Sequence, residues 1–238
     1  MIVIRKKSLI IISVLIITSL TFILCFGALI KSGVNKVDGD TVKIVLDAGH
    51  GGIDNGVIGS VTGVKESELN LIVVKKIEDY LVSAGIGVIL TRSSNAGLYG
   101  IATKNLKRKD MEKRREIIMS ANPTLLVSIH MNKYSLSSRR GAQVFYKGSD
   151  EKAKLLANCV QDELNGMQEA TRPYSALSGD YYILNCSNVP SIIAECGFLS
   201  NPEDEALLIT EEYQDKVAYT IFKGIISYLS QASIGYEY

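Results

Sequence analysis

Apolar residues fall along this chain in three rhythms, and each predicts a different kind of element. The first is unbroken: residues 9–30 carry no charge, and only Ser13, Thr18, Ser19, Thr21 and Gly27 add weak polarity. At ~1.5 Å of rise per residue, a helix of that length spans a hydrocarbon core of ~30 Å. The second rhythm is the short apolar, often β-branched run, which predicts strands at 42–46, 88–91, 125–129, 143–146, 181–184 and 191–194. The third is the 3.6-residue period. It predicts a helix over 66–84, with Leu69, Ile72, Val73, Ile77, Tyr80 and Leu81 on one face and Gly85 as its C-terminal cap. Further helices are predicted over 111–121, stopped by Asn122 and Pro123, over 151–164, and over 211–229.

Strands alternating with helices predict an α/β fold, a single domain with a central, largely parallel twisted sheet flanked by helices on both faces. An N-terminal transmembrane helix precedes it. The chain therefore divides into a basic N-terminus (1–8), a signal anchor (9–30), a short polar linker (31–40), a folded domain (41–232) and a tail (233–238). The longest irregular stretches, 93–107 and 166–180, are the candidate groove walls.

Charge sets the orientation of the anchor. Arg5, Lys6 and Lys7 immediately precede it, which keeps the N-terminus in the cytoplasm and sends the domain outward. A cleaved signal peptide is the rival reading, but its apolar region is only ~7–15 residues long. Without those three residues the chain holds 23 Lys and Arg against 25 Asp and Glu, a formal net charge of −2. That leaves no electrostatic footprint for nucleic acid. The locally basic stretches 104–115 and 139–140 read as solvated helix and loop faces. Cys159, Cys186 and Cys196 lack metal-ligand spacing and read as small buried apolar side chains.

The chain has two histidines. His50 follows the first predicted strand, in Asp47-Ala48-Gly49-His50-Gly51-Gly52, and His130 follows the third, in Ser128-Ile129-His130-Met131-Asn132. Glu195 ends another, in Ala194-Glu195-Cys196-Gly197-Phe198. Ligands of open α/β sheets bind outside the carboxyl ends of strands, so these three could share one site. A catalytic zinc needs three protein ligands and an open position for water. Glu66 and Glu68, at the start of the first predicted helix, are both candidates for the third ligand. A carboxylate there is also an ordinary helix-dipole residue.

These motifs, with Ile53-Asp54-Asn55-Gly56, Lys65-Glu66, Leu69-Asn70-Leu71 and Leu199-Ser200-Asn201, resemble the zinc N-acetylmuramoyl-L-alanine amidases, the Amidase_3 family. The resemblance covers about residues 42–230. It implies one Zn2+ held by His50, Glu66 and His130, with Glu195 as catalytic base and Asp47, Asp54 and Asn132 steadying the ligands or their loops. It also implies hydrolysis of the amide between the lactyl group of N-acetylmuramic acid and L-alanine in peptidoglycan. Ser67 stands where many relatives carry Lys, and Met119 where many carry a polar residue.

An anchor joined to a bare catalytic domain looks most like the sporulation amidases. Those enzymes act on spore cortex and remove peptide side chains so that muramic-δ-lactam can form. The expected location is membrane-anchored and extracytoplasmic, at the cell surface or in the intermembrane space of the forespore, and exposed loops could serve an activating protein partner. The alternatives are a vegetative cell-wall amidase and a non-catalytic peptidoglycan binder. A zinc carboxypeptidase would need a close His-x-x-Glu pair, and Gly51, Gly52 and Ile53 follow His50 instead.

Overall fold

The computed structural model describes residues 42–167 and 173–234. The expected anchor and linker lie outside the described residues. Among the described residues no helix is long and apolar enough to cross a membrane.

Six strands form one sheet: β1 (Lys43–Ala48), β2 (Gly87–Leu90), β3 (Leu125–Asn132), β4 (Gln143–Tyr146), β5 (Leu177–Ser178) and β6 (Ser191–Phe198). Their order is β2-β1-β3-β6-β4-β5. The first four positions are parallel, while β4 runs antiparallel to β6 and β5 parallel to β4. The sheet is largely parallel, as expected, with a reversed edge. Among the described residues six helices accompany it: α1 (Glu66–Ser83), α2 (Leu106–Ala121), α3 (Glu151–Met167), α4 (Tyr182–Asn185), α5 (Pro202–Leu208) and α6 (Glu211–Ile234).

Helices cover both faces, unequally. On one face Ile44, Leu46, Val127, Ile129 and Ile192 pack with Ile77 of α1, Val160 of α3 and Ile225 of α6. On the other, Val45, Leu126 and Ile193 meet Ile118 of α2 and Ile183 and Leu184 of α4. Fully burying a Leu or Ile stabilises by about 1.5–3 kcal/mol, so these residues fix the facing of the central strands β1, β3 and β6. Successive side chains alternate between faces. Asp47, His130 and Glu195, an even number of positions beyond Val45, Leu126 and Ile193, therefore lie on the face with the smaller core. A one-residue slip of β3 would carry His130 to the opposite face.

Several expectations are corrected. Residues 181–184 do not form a strand: Tyr182–Asn185 is a single helical turn that buries Ile183 and Leu184 while Tyr182 stays 49% exposed. A four-residue apolar run carries no period that separates the two states. The helix expected from 111 starts at Leu106, because its first turn is polar and leaves no apolar stripe. α6 continues to Ile234, past the expected helix end at 229. Helix α5 had no sequence forecast. Cys159, Cys186 and Cys196 are free and buried, as expected.

Candidate metal centre

His50 adopts a backbone φ of +62°, a left-handed conformation that costs a non-glycine residue about 1–2 kcal/mol. Two buried guanidiniums hold it there. Arg114 of α2 donates from Nη2 to His50 O at 2.5 Å, and from Nη1 to Ala48 O at 2.7 Å and Asp47 Oδ1 at 2.6 Å. Arg92, just past β2, donates from Nε to Ala48 O at 2.8 Å, and from Nη2 to Gly49 O at 2.9 Å and Ser67 O at 2.7 Å. The carbonyls of three successive residues are thus occupied from below. Arg114 is 1% exposed, which corrects the reading of 104–115 as a wholly solvated basic face.

Asp47 anchors this platform rather than touching a histidine. Its carboxylate also accepts from Thr91 Oγ1 and Ser128 Oγ, each at 2.6 Å. Burial alone would raise its pKa, but Arg114 and the two hydroxyls outweigh burial and hold it at about 2.

Glu66 opens α1 and lies between the imidazoles. Its Oε1 is 3.2 Å from His50 Nε2 and 2.9 Å from His130 Nδ1. Its Oε2 accepts from Val57 N at 2.7 Å. Asn70, one turn along, donates Nδ2 to Gly49 O at 3.1 Å and to Glu66 Oε1 at 3.3 Å. Despite burial, the two histidines hold the Glu66 carboxyl well below the usual carboxylate range. Burial lowers the His50 pKa, but Glu66 and Asp54 reverse the sign and raise it. Glu68, the other candidate, points away: its side chain is 43% exposed and pairs with Lys65 at 3.5 Å. The structure brings together Glu66, His50 and His130.

The group has the form of a cation site. One atom from each residue lies within 4.8 Å of the others. Ligand atoms of a tetrahedral zinc site with bonds of ~2.0–2.1 Å stand ~3.4 Å apart. The observed 2.9 and 3.2 Å contacts fit that figure. Asp54 Oδ1 lies 3.0 Å from His50 Nδ1, where it can orient the ring. Gly49 packs beneath His130, and a Cβ there would stand 2.2 Å from the imidazole ring.

Glu195 pairs in register with His130 on one side and Gln143 on the other. It is not at a strand end, since β6 continues to Phe198, and His130 likewise lies within β3. Its Oε2 is buried without a hydrogen-bond partner. Burial, opposed by His130 and helped by Glu66, pushes its carboxyl up to about 7. Glu195 shares a cavity of about 590 Å³ with His50, Glu66, His130, Asn132 and Lys133. Asn132 works on loops: its Oδ1 accepts from Lys133 N at 2.7 Å and its O from Leu199 N at 2.9 Å.

The cavity walls differ from those expected. Residues 54–58 and 131–133 supply most of the lining, and of 93–107 only Lys107 contributes. A smaller adjoining cavity of about 180 Å³ is lined by Met111, Tyr181 and Tyr182, while residues 168–172 of the expected wall 166–180 lie outside the described residues. Sequence reading missed Arg92, Arg114 and Asn70 as supports. Asn70 carried a usable signal, since it stands four residues beyond Glu66 on the same helical face.

A profile of the N-acetylmuramoyl-L-alanine amidases matches residues 44–227. Over 192 residues the chain is 37% identical to the germination-specific N-acetylmuramoyl-L-alanine amidase of Bacillus subtilis, covering 79% of this chain and 80% of that protein. The CwlD amidase from Clostridioides difficile, whose structure was solved in complex with the GerS lipoprotein, superposes with a TM-score of 0.77. It is 38% identical, over 80% of this chain and 99% of that one. The catalytic domain of CwlV, an N-acetylmuramoyl-L-alanine amidase from Bacillus (Paenibacillus) polymyxa, gives a TM-score of 0.70 at 28% identity, over 79% of this chain and 98% of that one. With the profile spanning the sheet, its helices and all four candidate side chains, this chain belongs to the N-acetylmuramoyl-L-alanine amidase family.

Proposed function

We propose that the protein is a zinc-dependent, membrane-anchored amidase that cuts muramoyl–L-alanine bonds in spore cortex peptidoglycan. The observation that carries this reading is the Glu66 carboxylate, within 3.2 Å of an imidazole nitrogen of both His50 and His130, with Glu195 in register beside His130.

His50, Glu66 and His130 would hold the ion. Two neutral imidazoles and one carboxylate leave a divalent site with a net charge of +1. When bound, zinc supplies Lewis acidity: it brings the pKa of water down to about 7 and polarises a carbonyl. The Glu195 carboxylate takes a proton from the attacking water. It then gives that proton to the alanine nitrogen as the C–N bond breaks, leaving a lactyl carboxylate and a free amine. Its unpartnered Oε2 has no competing hydrogen bond to surrender in doing so. Asp54 Oδ1, 3.0 Å from His50 Nδ1, favours the ring orientation that keeps Nε2 turned to Glu66.

Likeness to the germination-specific amidase supports a role in cortex maturation, with removal of peptide side chains preceding muramic-δ-lactam formation. The lipoprotein seen with the CwlD amidase supports a protein partner of the same kind here. The charge-free run at 9–30 behind three basic residues supports an extracytoplasmic catalytic domain tethered to the membrane.

The test uses full-length protein in detergent with purified cortex and vegetative sacculi, counting newly freed alanine amines. Wild type should release amines from cortex, chelator should stop it, and Glu195→Gln should lose at least ~100-fold in rate while keeping its zinc. Wild-type rates in Glu195→Gln would remove Glu195 from the mechanism. Release from vegetative sacculi alone would remove the cortex assignment.

A further inference from the structure

Between the His50 loop and α1, residues 59–64 make a tight turn, with Gly59 N donating to Val64 O at 2.8 Å and Ile58 bridged to Lys65. The base of that turn is built from Glu66 itself. Glu66 N donates to Val57 O at 2.9 Å, and Val57 N returns a bond to Glu66 Oε2 at 2.7 Å. Wherever the turn sits, the Glu66 carboxylate sits with it.

The turn is fastened by a residue more than 140 positions away. Glu205 of α5 is 1% exposed. Its Oε2 accepts from Val61 N at 2.9 Å and Ser60 Oγ at 3.1 Å, and its Oε1 from Thr62 N and Thr62 Oγ1, each at 2.7 Å. Contact is close enough that a Cβ on Gly59 would stand 2.4 Å from Glu205 Oε1. Ser60 N adds a bond to Leu199 O at 3.1 Å, just past the end of β6.

Each Glu205 oxygen faces a backbone N–H. An amide in its place must turn its NH2 toward one of them in either orientation, so a neutral isostere cannot complete the set. Burial would raise the Glu205 pKa, yet the bonds from Thr62, Val61 and Ser60 hold it below the usual range. The clamp is an ionised carboxylate with four donors.

We propose that Glu205 is a positioning residue for the metal centre: it pins the 59–64 turn to the β6–α5 corner, and so fixes Glu66 against the two histidines and the strand that carries Glu195. This rests on the metal-centre reading above. It adds that the affinity of the site depends on a carboxylate that touches neither ion nor substrate. Outer partners of metal ligands typically set 10–100-fold in affinity.

The experiment measures zinc affinity by chelator competition on the full-length protein, together with denaturant stability of the zinc-stripped form. Three variants are compared with wild type. Glu205→Gln should weaken zinc binding ~10–100-fold, and Thr62→Val, which removes one of the four bonds to Glu205 together with the 3.3 Å bond from Val64 N to Thr62 Oγ1, should weaken it ~3-fold or more. Ile225→Val trims the core beneath α6 and serves as the stability control, with zinc affinity within ~2-fold of wild type. Wild-type affinity in Glu205→Gln overturns the proposal, as does an equal loss in Ile225→Val at matched stability. If Glu205→Gln fails to fold, Thr62→Val decides, and unchanged affinity there is the contrary result. A wild type that binds no zinc removes the metal-centre reading and this inference with it.

Discussion

Arg114 Nη1 lies 2.6 Å from Asp47 Oδ1, and both side chains are only 2% exposed. The pair sits directly under the loop that carries His50. Removing one partner of a buried ion pair leaves the other charge uncompensated, at a cost of about 3–5 kcal/mol. Arg114→Met should therefore lower unfolding stability by about that amount, read from urea transitions. It also strips donors from Ala48 O and His50 O, so zinc affinity should fall with it. Arg108→Met, on the exposed face of the same helix, should leave both readings unchanged.

The same pair predicts an acid limb. Asp47 is held at about 2 against an ordinary value of 3.8. A depressed carboxylate contributes stability that is complete above its unfolded pKa and is lost as pH falls through the folded one. Between pH 7 and 5 the stability gap separating wild type from Asp47→Asn should be constant. From pH 4 to 2 it should shrink by about 2 kcal/mol, at 1.36 kcal/mol per pKa unit. A gap that stays flat down to pH 2 would contradict the assignment.

Gly49 predicts a steric result. With a Cβ placed 2.2 Å from the His130 ring, Gly49→Ala must displace the imidazole or the strand. The expected outcome is loss of at least tenfold in zinc affinity, measured by chelator competition, with β1 and β3 still formed by circular dichroism. Unchanged affinity would mean that the ring sits elsewhere in solution.

Much of this was legible in the sequence, for identifiable reasons. β1, β3 and β6 were readable because central strands of a parallel sheet are buried on both faces and write themselves as continuous apolar runs. His50, His130 and Glu195 stood out because each interrupts or follows such a run with an ionisable group. Glu66 and Glu68 both occupy the first turn of α1, so helical position alone leaves both open, and it is the family resemblance that selects Glu66. Burial agrees, 2% for Glu66 against a solvated, Lys65-paired Glu68.

The supports were hidden. Arg92, Arg114 and Glu205 look like surface charges in one dimension, and the partners named above lie 25 to 145 residues away. Nothing local distinguishes Arg114 from exposed Arg108 on the same helix. Helix α5 was missed because seven residues with three acidic side chains show no apolar stripe. Tyr182–Asn185 was misread because a four-residue apolar run suits either period.

The measurement that bears most directly on the centre is bound zinc per chain in wild type, Glu66→Gln and Glu68→Gln, after dialysis against trace zinc at pH 7. A carboxylate shared by two imidazoles predicts one equivalent in wild type, one in Glu68→Gln, and less than about a tenth in Glu66→Gln. Full occupancy in Glu66→Gln, or none in wild type, would contradict it.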